Sequence, residues 1–248
     1  EPRQVRLELT NKCNAHCVTC HRLAMTRPLG NMADELLNKC LNDIRQFPEP
    51  LLEIVPSNFG ETFMADNWAE KLRLISRKLP GTRMVIPTNG TLLDESAVKS
   101  ICQIPTLNLI NISVNAFLPA TYEYFHKLPA KHLEGIETAA RSIKAMRPDI
   151  TLWFSMVLDS QIQSPKEVDL FKEHWSKYGI VQINTVQHSN KNRPLLVELP
   201  CRSIFSDLVV NCDGRVTNCC WDADCILSMG DAARTNLLDI WHGRNFTE

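Results

Sequence analysis

No stretch of the sequence is apolar for the roughly 20 residues that a membrane-spanning helix needs, and no run of Lys or Arg forms a basic stripe. Formal net charge is only −1, from 27 basic and 28 acidic residues. Charge attraction to nucleic acid or to an anionic membrane therefore has no basis, and neither is expected as a partner. Residues 1–4, Glu-Pro-Arg-Gln, lack the apolar core of a secretory signal, and the missing initiator Met suggests trimming. There is no internal repeat and no low-complexity tract. What is present is 248 residues, 44% of them hydrophobic and 22% charged. That is enough for one large core plus an appendage, and too apolar for wholesale disorder.

Against these absences stand ten cysteines. They gather near the start, at Cys13, Cys17 and Cys20, and near the end, at Cys201, Cys212, Cys219, Cys220 and Cys225. Disulfide scaffolds serve small secreted domains that cannot build a core; this chain shows neither the signal nor the need. Metal-binding or redox cysteines in a cytoplasmic protein are the expectation. Cys40 and Cys102 fall on apolar helix faces and read as core packing, and Cys212 reads as facing inward on a hairpin.

Short apolar runs alternate with amphipathic segments. Strands are expected at residues 5–9, 51–56, 83–87, 107–114, 152–158 and 181–185, each brief and branched, as strands buried on both faces tend to be. Leu37, Cys40, Leu41, Ile44 and Phe47 recur at helical spacing, as do Leu133, Ile136, Ala140 and Ile143. Ser164-Pro165-Lys166-Glu167 reads as a capping box opening a helix whose stripe is Val168, Phe171 and Trp175. Strand–helix units in series imply an α/β fold with a parallel sheet, open or closed into part of a barrel. Residues 188–194 read as a polar loop leaving that sheet. Residues 208–217, with Asp213-Gly214 at the tip, read as a β-hairpin with a type I′ turn. The expected division is 1–190 and 191–248, with the boundary near 188–200.

Cys13-x3-Cys17-x2-Cys20 follows the first strand directly, at the end of a parallel strand where such folds place ligands. Three thiolates on one loop can hold three irons of a cubane cluster and leave the fourth without a protein ligand. Zinc wants four protein ligands, or three and a water, and His16 and His21 keep that alternative open. Gly60-Glu61 follows the second strand and Thr88-Asn89-Gly90 the third. Together these motifs resemble the radical S-adenosylmethionine (SAM) superfamily, whose fold would be a partial (β/α)6 TIM-like barrel. The resemblance implies a [4Fe–4S] cluster on Cys13, Cys17 and Cys20 whose open iron chelates the amino and carboxylate groups of SAM. An electron from a flavodoxin- or ferredoxin-type donor then breaks the C5′–S bond, giving methionine and a 5′-deoxyadenosyl radical. It also implies that His21 lies against adenine, that Gly60 and Glu61 meet the SAM ammonium, that Asn89 lies near SAM, and that Ser113 and Asn115 contact its ribose or carboxylate. For His21 a solvated loop residue, for Asn89 a plain Asn-Gly turn, and for Ser113 and Asn115 a satisfied strand end are the ordinary alternatives.

Cys201-x12-Gly214-x4-Cys219 and the trailing Asn236-Leu237-Leu238-Asp239-Ile240-Trp241 resemble the SPASM/Twitch extension of that superfamily. The resemblance implies an auxiliary [4Fe–4S] cluster, with Cys201 and Cys219 as ligands and Cys220 and Cys225 as further candidates. The further cysteine pair usual in that extension does not appear before Glu248. The cluster motif is reached within a dozen residues, as in stand-alone enzymes acting on sugars and aminocyclitols. The expected function is hydrogen-atom abstraction from a small polar metabolite, with oxidation or epimerisation assisted by the auxiliary cluster. A peptide-modifying maturase is the alternative within the class, and a non-catalytic iron–sulfur electron carrier or redox sensor the alternative outside it. His188, Asn190, Arg193 and Asp222 are substrate-selecting candidates by position and polarity, a solvated loop being the alternative.

Overall fold

The computed structural model describes residues 1–185 and 201–247. His188, Asn190 and Arg193, the loop at 188–194 and the expected boundary lie outside the described residues. Six parallel strands follow in chain order: β1 (Gln4–Leu7), β2 (Glu53–Val55), β3 (Arg83–Thr88), β4 (Leu107–Ser113), β5 (Thr151–Leu158) and β6 (Ile180–Thr185). Between them lie α1 (Asp34–Ile44), α2 (Trp68–Lys78), α3 (Glu95–Cys102), α4 (Pro119–His126), α5 (His132–Met146) and α6 (Pro165–Trp175). The chain then adds β7 (Asp207–Val210), β8 (Arg215–Thr217), β9 (Gly230–Asp231), α7 (Leu237–Trp241) and α8 (Arg244–Thr247).

β7 does not start a sheet of its own. It pairs parallel to β1 along that strand's free side, Val5 opposite Leu208 and Leu7 opposite Val210. The result is one open nine-stranded sheet in the order β6-β5-β4-β3-β2-β1-β7-β8-β9. An open, partial TIM-like barrel is thus what the chain forms, with the hairpin continuing its sheet.

Along β1 and β3, and over much of β4 and β5, buried residues alternate with more open ones, which departs from the expectation of burial on both faces, whereas β7 is buried throughout. On the helix-covered side Ile110, Ile112, Leu152 and Phe154 are buried in the core beside Ile136, Phe171 and Trp175. Their alternates Asn111, Ser113 and Trp153 are half-buried on the concave side. Because side chains alternate along a strand, the concave side collects the polar residues. Cys40 and Cys102 are buried in the apolar core.

Two local readings are corrected. The hairpin tip is not a type I′ turn, which needs φ > 0 at both central residues. The Asn211 carbonyl accepts the Gly214 N–H at 2.9 Å, and Gly214 alone has a left-handed φ of 92°. The Asn211 N–H then donates to Arg215 O, giving a type I turn closed by a glycine bulge. The capping box is half formed. Ser164 accepts the Glu167 N–H, but the Glu167 carboxylate turns away to accept the N–H groups of Phe117 and Leu118 and the Thr121 hydroxyl, at 2.9–3.0 Å. It caps α4 instead of its own helix, fixing the segment after β4.

Candidate active site

The loop after β1 is clamped onto the end of α4. The His16 N–H donates to His126 O at 3.0 Å and the Val18 N–H to Phe125 O at 2.9 Å. Arg22 reaches back to the Ala15 carbonyl at 2.7 Å. Beneath the loop Tyr122, Phe125 and His126 are fully buried, so its underside is dry. Cys13, Cys17 and Cys20 are half-buried on it. Burial pushes the Cys17 thiol up to about 12, and the nearby Cys20 and Cys13 push the same way. Burial also raises Cys13, against an opposing N–H from Ala15. Arg22 opposes the rise at both thiols without cancelling it, and thiols crowded together in this way are a donor set that iron would ionise. Among the described residues no three His, Cys, Asp or Glu side chains converge on one ion-sized point; a cubane cluster asks for something else, one thiolate on each of three irons.

His126 was not singled out by its sequence. Its Nε2–H donates to the Val114 carbonyl at 2.8 Å, which leaves Nδ1 to accept from the Cys17 thiol at 3.2 Å. Burial holds the imidazole down to about 4, against the opposing pull of the Val114 bond. A base whose pKa is depressed on folding stabilises the fold above its unfolded value near 6.5, and that contribution is lost as pH falls toward 4. Cluster-free protein will therefore lose on the order of 3 kcal/mol between pH 6.5 and 4 through this residue. Urea titrations at pH 7 and pH 5 of wild type and His126→Gln check it. The variant should show the shallower pH dependence, and equal slopes would remove the assignment.

The segment after β2 closes against this loop. The Glu61 N–H donates to Lys12 O at 2.8 Å. A Cβ on Gly60 would stand 2.0 Å from Thr10 O and 2.9 Å from Lys12 O, so only glycine fits this contact. The Glu61 carboxylate, fully buried, accepts from the Thr88 hydroxyl at 2.9 Å and the Asn89 N–H at 2.8 Å. Burial raises its pKa to about 7 despite these donors. Glu61 thus braces the end of β2 against the end of β3. Asn89 continues the bracing: its amide donates to Asn14 Oδ1 at 2.9 Å and lies 3.9 Å from Cys13 Sγ. Gly90 takes a left-handed φ of 78°, which lets the chain turn there.

At the end of β4, Asn115 is buried in a left-handed conformation, φ 61°, and its side-chain oxygen accepts the Val157 N–H at 2.8 Å. It ties β4 to β5. Ser113 faces the concave side, with the Ser155 hydroxyl 3.5 Å from its own. Beside it Asn111 pairs across the ladder with Trp153, and among the described residues Asn111 Oδ1 and Trp153 Nε1 have no partner. Arg6 Nε and both side-chain polar atoms of Asn211 are buried and, among the described residues, unpartnered as well.

The C-terminal cysteines divide. Cys201, Cys219 and Cys220 lie near one another: burial raises the Cys220 thiol, Cys219 and Cys201 add to the rise, and the Arg6 guanidinium opposes it. Cys225 is buried apart, with its thiol against Val216 O at 3.5 Å. Cys212 is buried near Glu8. Asp222 is engaged within its own loop, accepting the N–H groups of Ile226 and Leu227 at 2.8 and 2.7 Å. The two cysteine segments are clasped through Arg27, which the sequence did not flag. Arg27 forms a bidentate pair with fully buried Glu8, both bonds 3.0 Å, and also bonds Ala223 O. Glu8 in turn accepts the Cys212 N–H at 3.0 Å. An acid at the end of an apolar strand was the available signal for Glu8.

Comparison with known proteins agrees with this geometry. The radical SAM superfamily model matches residues 7–159, and that of an iron–sulfur cluster-binding domain, SPASM, matches residues 201–248. A tungsten-containing aldehyde ferredoxin oxidoreductase cofactor-modifying protein of Pyrococcus furiosus is 31% identical over 98 residues, 40% of this chain and 27% of that protein. The chain spans less than two thirds of the curated relatives it matches. Among solved structures, BtrN in complex with AdoMet and 2-DOIA superposes with a TM-score of 0.67 at 17% identity, covering 100% of this chain and 85% of BtrN. Streptococcus suis SuiB bound to the precursor peptide SuiA gives 0.72 at 12% identity, covering 98% and 65%. At such identities the likeness is one of fold. The matched family covers more than half of the sequence and carries Cys13, Cys17 and Cys20 on its first loop, so this chain belongs to the radical SAM superfamily and bears a C-terminal SPASM iron–sulfur domain.

Proposed function

We propose that this enzyme abstracts a hydrogen atom from a small polar metabolite of the sugar or aminocyclitol type, with oxidation or epimerisation to follow. When bound together and reduced by one electron from a flavodoxin- or ferredoxin-type donor, the cluster and SAM supply a 5′-deoxyadenosyl radical. Cys13, Cys17 and Cys20 hold that cluster. The dry floor of Tyr122, Phe125 and His126 keeps water from beneath it. Gly60 lets the β2 end lie against the loop, and Glu61 and Asn89 hold the β3 end beside it. His21 is assigned to adenine and Ser113 to the ribose or carboxylate, while Asn115 shapes the strand end. Cys201, Cys219 and Cys220 hold the auxiliary cluster, beside Arg6.

The observation that supports the substrate class is the pair Asn111 Oδ1 and Trp153 Nε1 on the adjacent strands β4 and β5, both buried and without a partner among the described residues. A buried polar atom left unpaired costs about 1–3 kcal/mol, so a ligand rich in hydroxyl or amino groups is the fitting occupant. A second reading, a peptide substrate, is favoured by the apolar side chains exposed on the C-terminal segment, Phe205, Ile226 and Leu227. The test is to incubate reduced, cluster-loaded enzyme with SAM and deuterated sugars, aminocyclitols or peptides, and to follow deuterium into 5′-deoxyadenosine. Label from a polyol is the expected result, and label from peptides alone would replace this reading by the second. A reduced cluster whose spectrum ignores SAM would leave an electron carrier.

A further inference from the structure

The turn after β3 closes a ring of side chains against the cysteine loop. Asn89 Oδ1 accepts the Thr91 N–H at 2.9 Å and the Thr91 hydroxyl at 2.6 Å. That hydroxyl in turn accepts from Asn14 Nδ2 at 2.9 Å, and Asn14 Oδ1 accepts from Asn89 Nδ2 at 2.9 Å. Asn14 follows Cys13 directly, so the ring ties the turn to the first thiol of the loop.

The ring also fixes which way round the Asn89 amide sits. The two ends of an asparagine amide have nearly the same size and shape, and only their partners tell them apart. A backbone N–H can only donate, so the end facing the Thr91 N–H is the oxygen and the end facing Cys13 is the NH2. That NH2 carries two hydrogens. One goes to Asn14 Oδ1 and the other faces Cys13 Sγ, with nitrogen and sulfur 3.9 Å apart. The residue is buried, and its backbone N–H is held by the Glu61 carboxylate at 2.8 Å. Backbone and side chain are thus both fixed toward the thiol.

We propose that Asn89 raises the reduction potential of the first cluster by donating an N–H···S bond to the Cys13 thiolate. A cluster gains negative charge on reduction, and a hydrogen-bond donor at a ligating sulfur favours the more negative state. At 3.9 Å the contact is long, so its effect is that of one ordinary hydrogen bond and not that of a charge. The inference rests on the reading that Cys13, Cys17 and Cys20 hold the cluster. It goes further in giving Asn89 a task toward the sulfur, separate from any contact with SAM.

Redox titration of cluster-loaded protein without SAM, followed by electron paramagnetic resonance, tests it. Subtracting the signal of the variant carrying Cys13→Ala, Cys17→Ala and Cys20→Ala removes the auxiliary cluster. At one fixed potential, Asn89→Ala should show a reduced-to-oxidised ratio about 2- to 10-fold below wild type. Tenfold corresponds to a potential about 59 mV more negative for one electron. Thr91→Val breaks the hydroxyl bonds of the ring but keeps the Thr91 N–H that orients the amide, so it should keep the wild-type potential. Wild type labelled with nitrogen-15 in its asparagine side chains should show a nitrogen coupling on the reduced cluster, and labelled Asn89→Ala should lose it. An unshifted potential in Asn89→Ala overturns the proposal, and so does an equal shift in Thr91→Val, which would reduce Asn89 to a support of the turn. If Asn89→Ala fails to fold or to load iron, the labelled wild type decides: a coupling upholds the proposal, because Asn14 Nδ2 donates to Thr91 and not to a thiol, and its lack overturns it. Wild type with no reducible cluster beyond that of the triple variant overturns the site reading itself, a separate outcome.

Discussion

With Cys13, Cys17 and Cys20 replaced together by alanine, 5′-deoxyadenosine release from SAM will fall below detection, while about four of about eight irons per chain remain. The first half follows from chemistry: alanine supplies no iron ligand, and no other thiol lies on that loop. The fold should survive. The loop is held by backbone bonds from His16, Val18 and Glu61 to His126, Phe125 and Lys12, and none of them uses a thiol. Its three cysteines are only half-buried, so truncation opens little cavity. The second half follows from the division of the C-terminal cysteines, where Cys201, Cys219 and Cys220 lie together and far along the chain from the first loop. Product analysis by mass spectrometry and Mössbauer iron counting on the folded, reconstituted variant read both halves. Persistent SAM cleavage would move the cluster elsewhere. Complete loss of iron would leave Cys201, Cys219 and Cys220 as structural thiols and deprive oxidation of its electron acceptor.

What the sequence disclosed about this site was whatever is local along the chain. Cys13, Cys17 and Cys20 lie on one loop, so their spacing carries the chemistry without knowledge of the fold, and the apolar runs of β3 to β6 announce themselves within a few residues. What depends on distant partners was not legible. Leu208–Cys212 reads as the first arm of a hairpin, but nothing in that run names β1 as its neighbour. Glu167 stands where a reciprocal cap would place it, yet Phe117 and Leu118 offer two N–H groups and Thr121 a hydroxyl from another helix, and three donors outweigh one. Glu61 reads as a partner for a cation; that its carboxylate also accepts from Thr88 and Asn89 depends on β2 and β3 being paired. His126 gains its role only because α4 folds back to bring Val114 and Cys17 to opposite ring nitrogens.

Replacing Gly60 with alanine is expected to damage the enzyme more than any other single methyl group added in this site. The obstacle is space, since Gly60 has no left-handed φ that an L-residue would resist. Its added Cβ would meet Thr10 O at 2.0 Å, Thr10 C at 2.7 Å and Lys12 O at 2.9 Å, all backbone atoms that cannot rotate aside. Nor can they retreat freely. The Thr10 hydroxyl is bonded to Gly30 O, the Lys12 N–H to the Thr10 hydroxyl, and Lys12 O to the Glu61 N–H. Overpacking of a fitted contact costs about 1–3 kcal/mol, and a clash between backbones belongs at the upper end or beyond. The segment that must yield leads directly into Cys13, so the cysteine loop shifts relative to Glu61 and Asn89. A displacement of about 1 Å in a catalytic arrangement can cost about 100-fold in rate. SAM cleavage should therefore fall by roughly two orders of magnitude at temperatures where circular dichroism shows the variant still folded. Gly135→Ala is the control: nothing lies within 4 Å of its Cβ position near the start of α5. That change should raise stability by up to about 1 kcal/mol through helix propensity and leave SAM cleavage alone. If Gly60→Ala instead matches wild type in denaturant midpoint and in SAM cleavage, the close approach of β2 to the cysteine loop is not part of the working site.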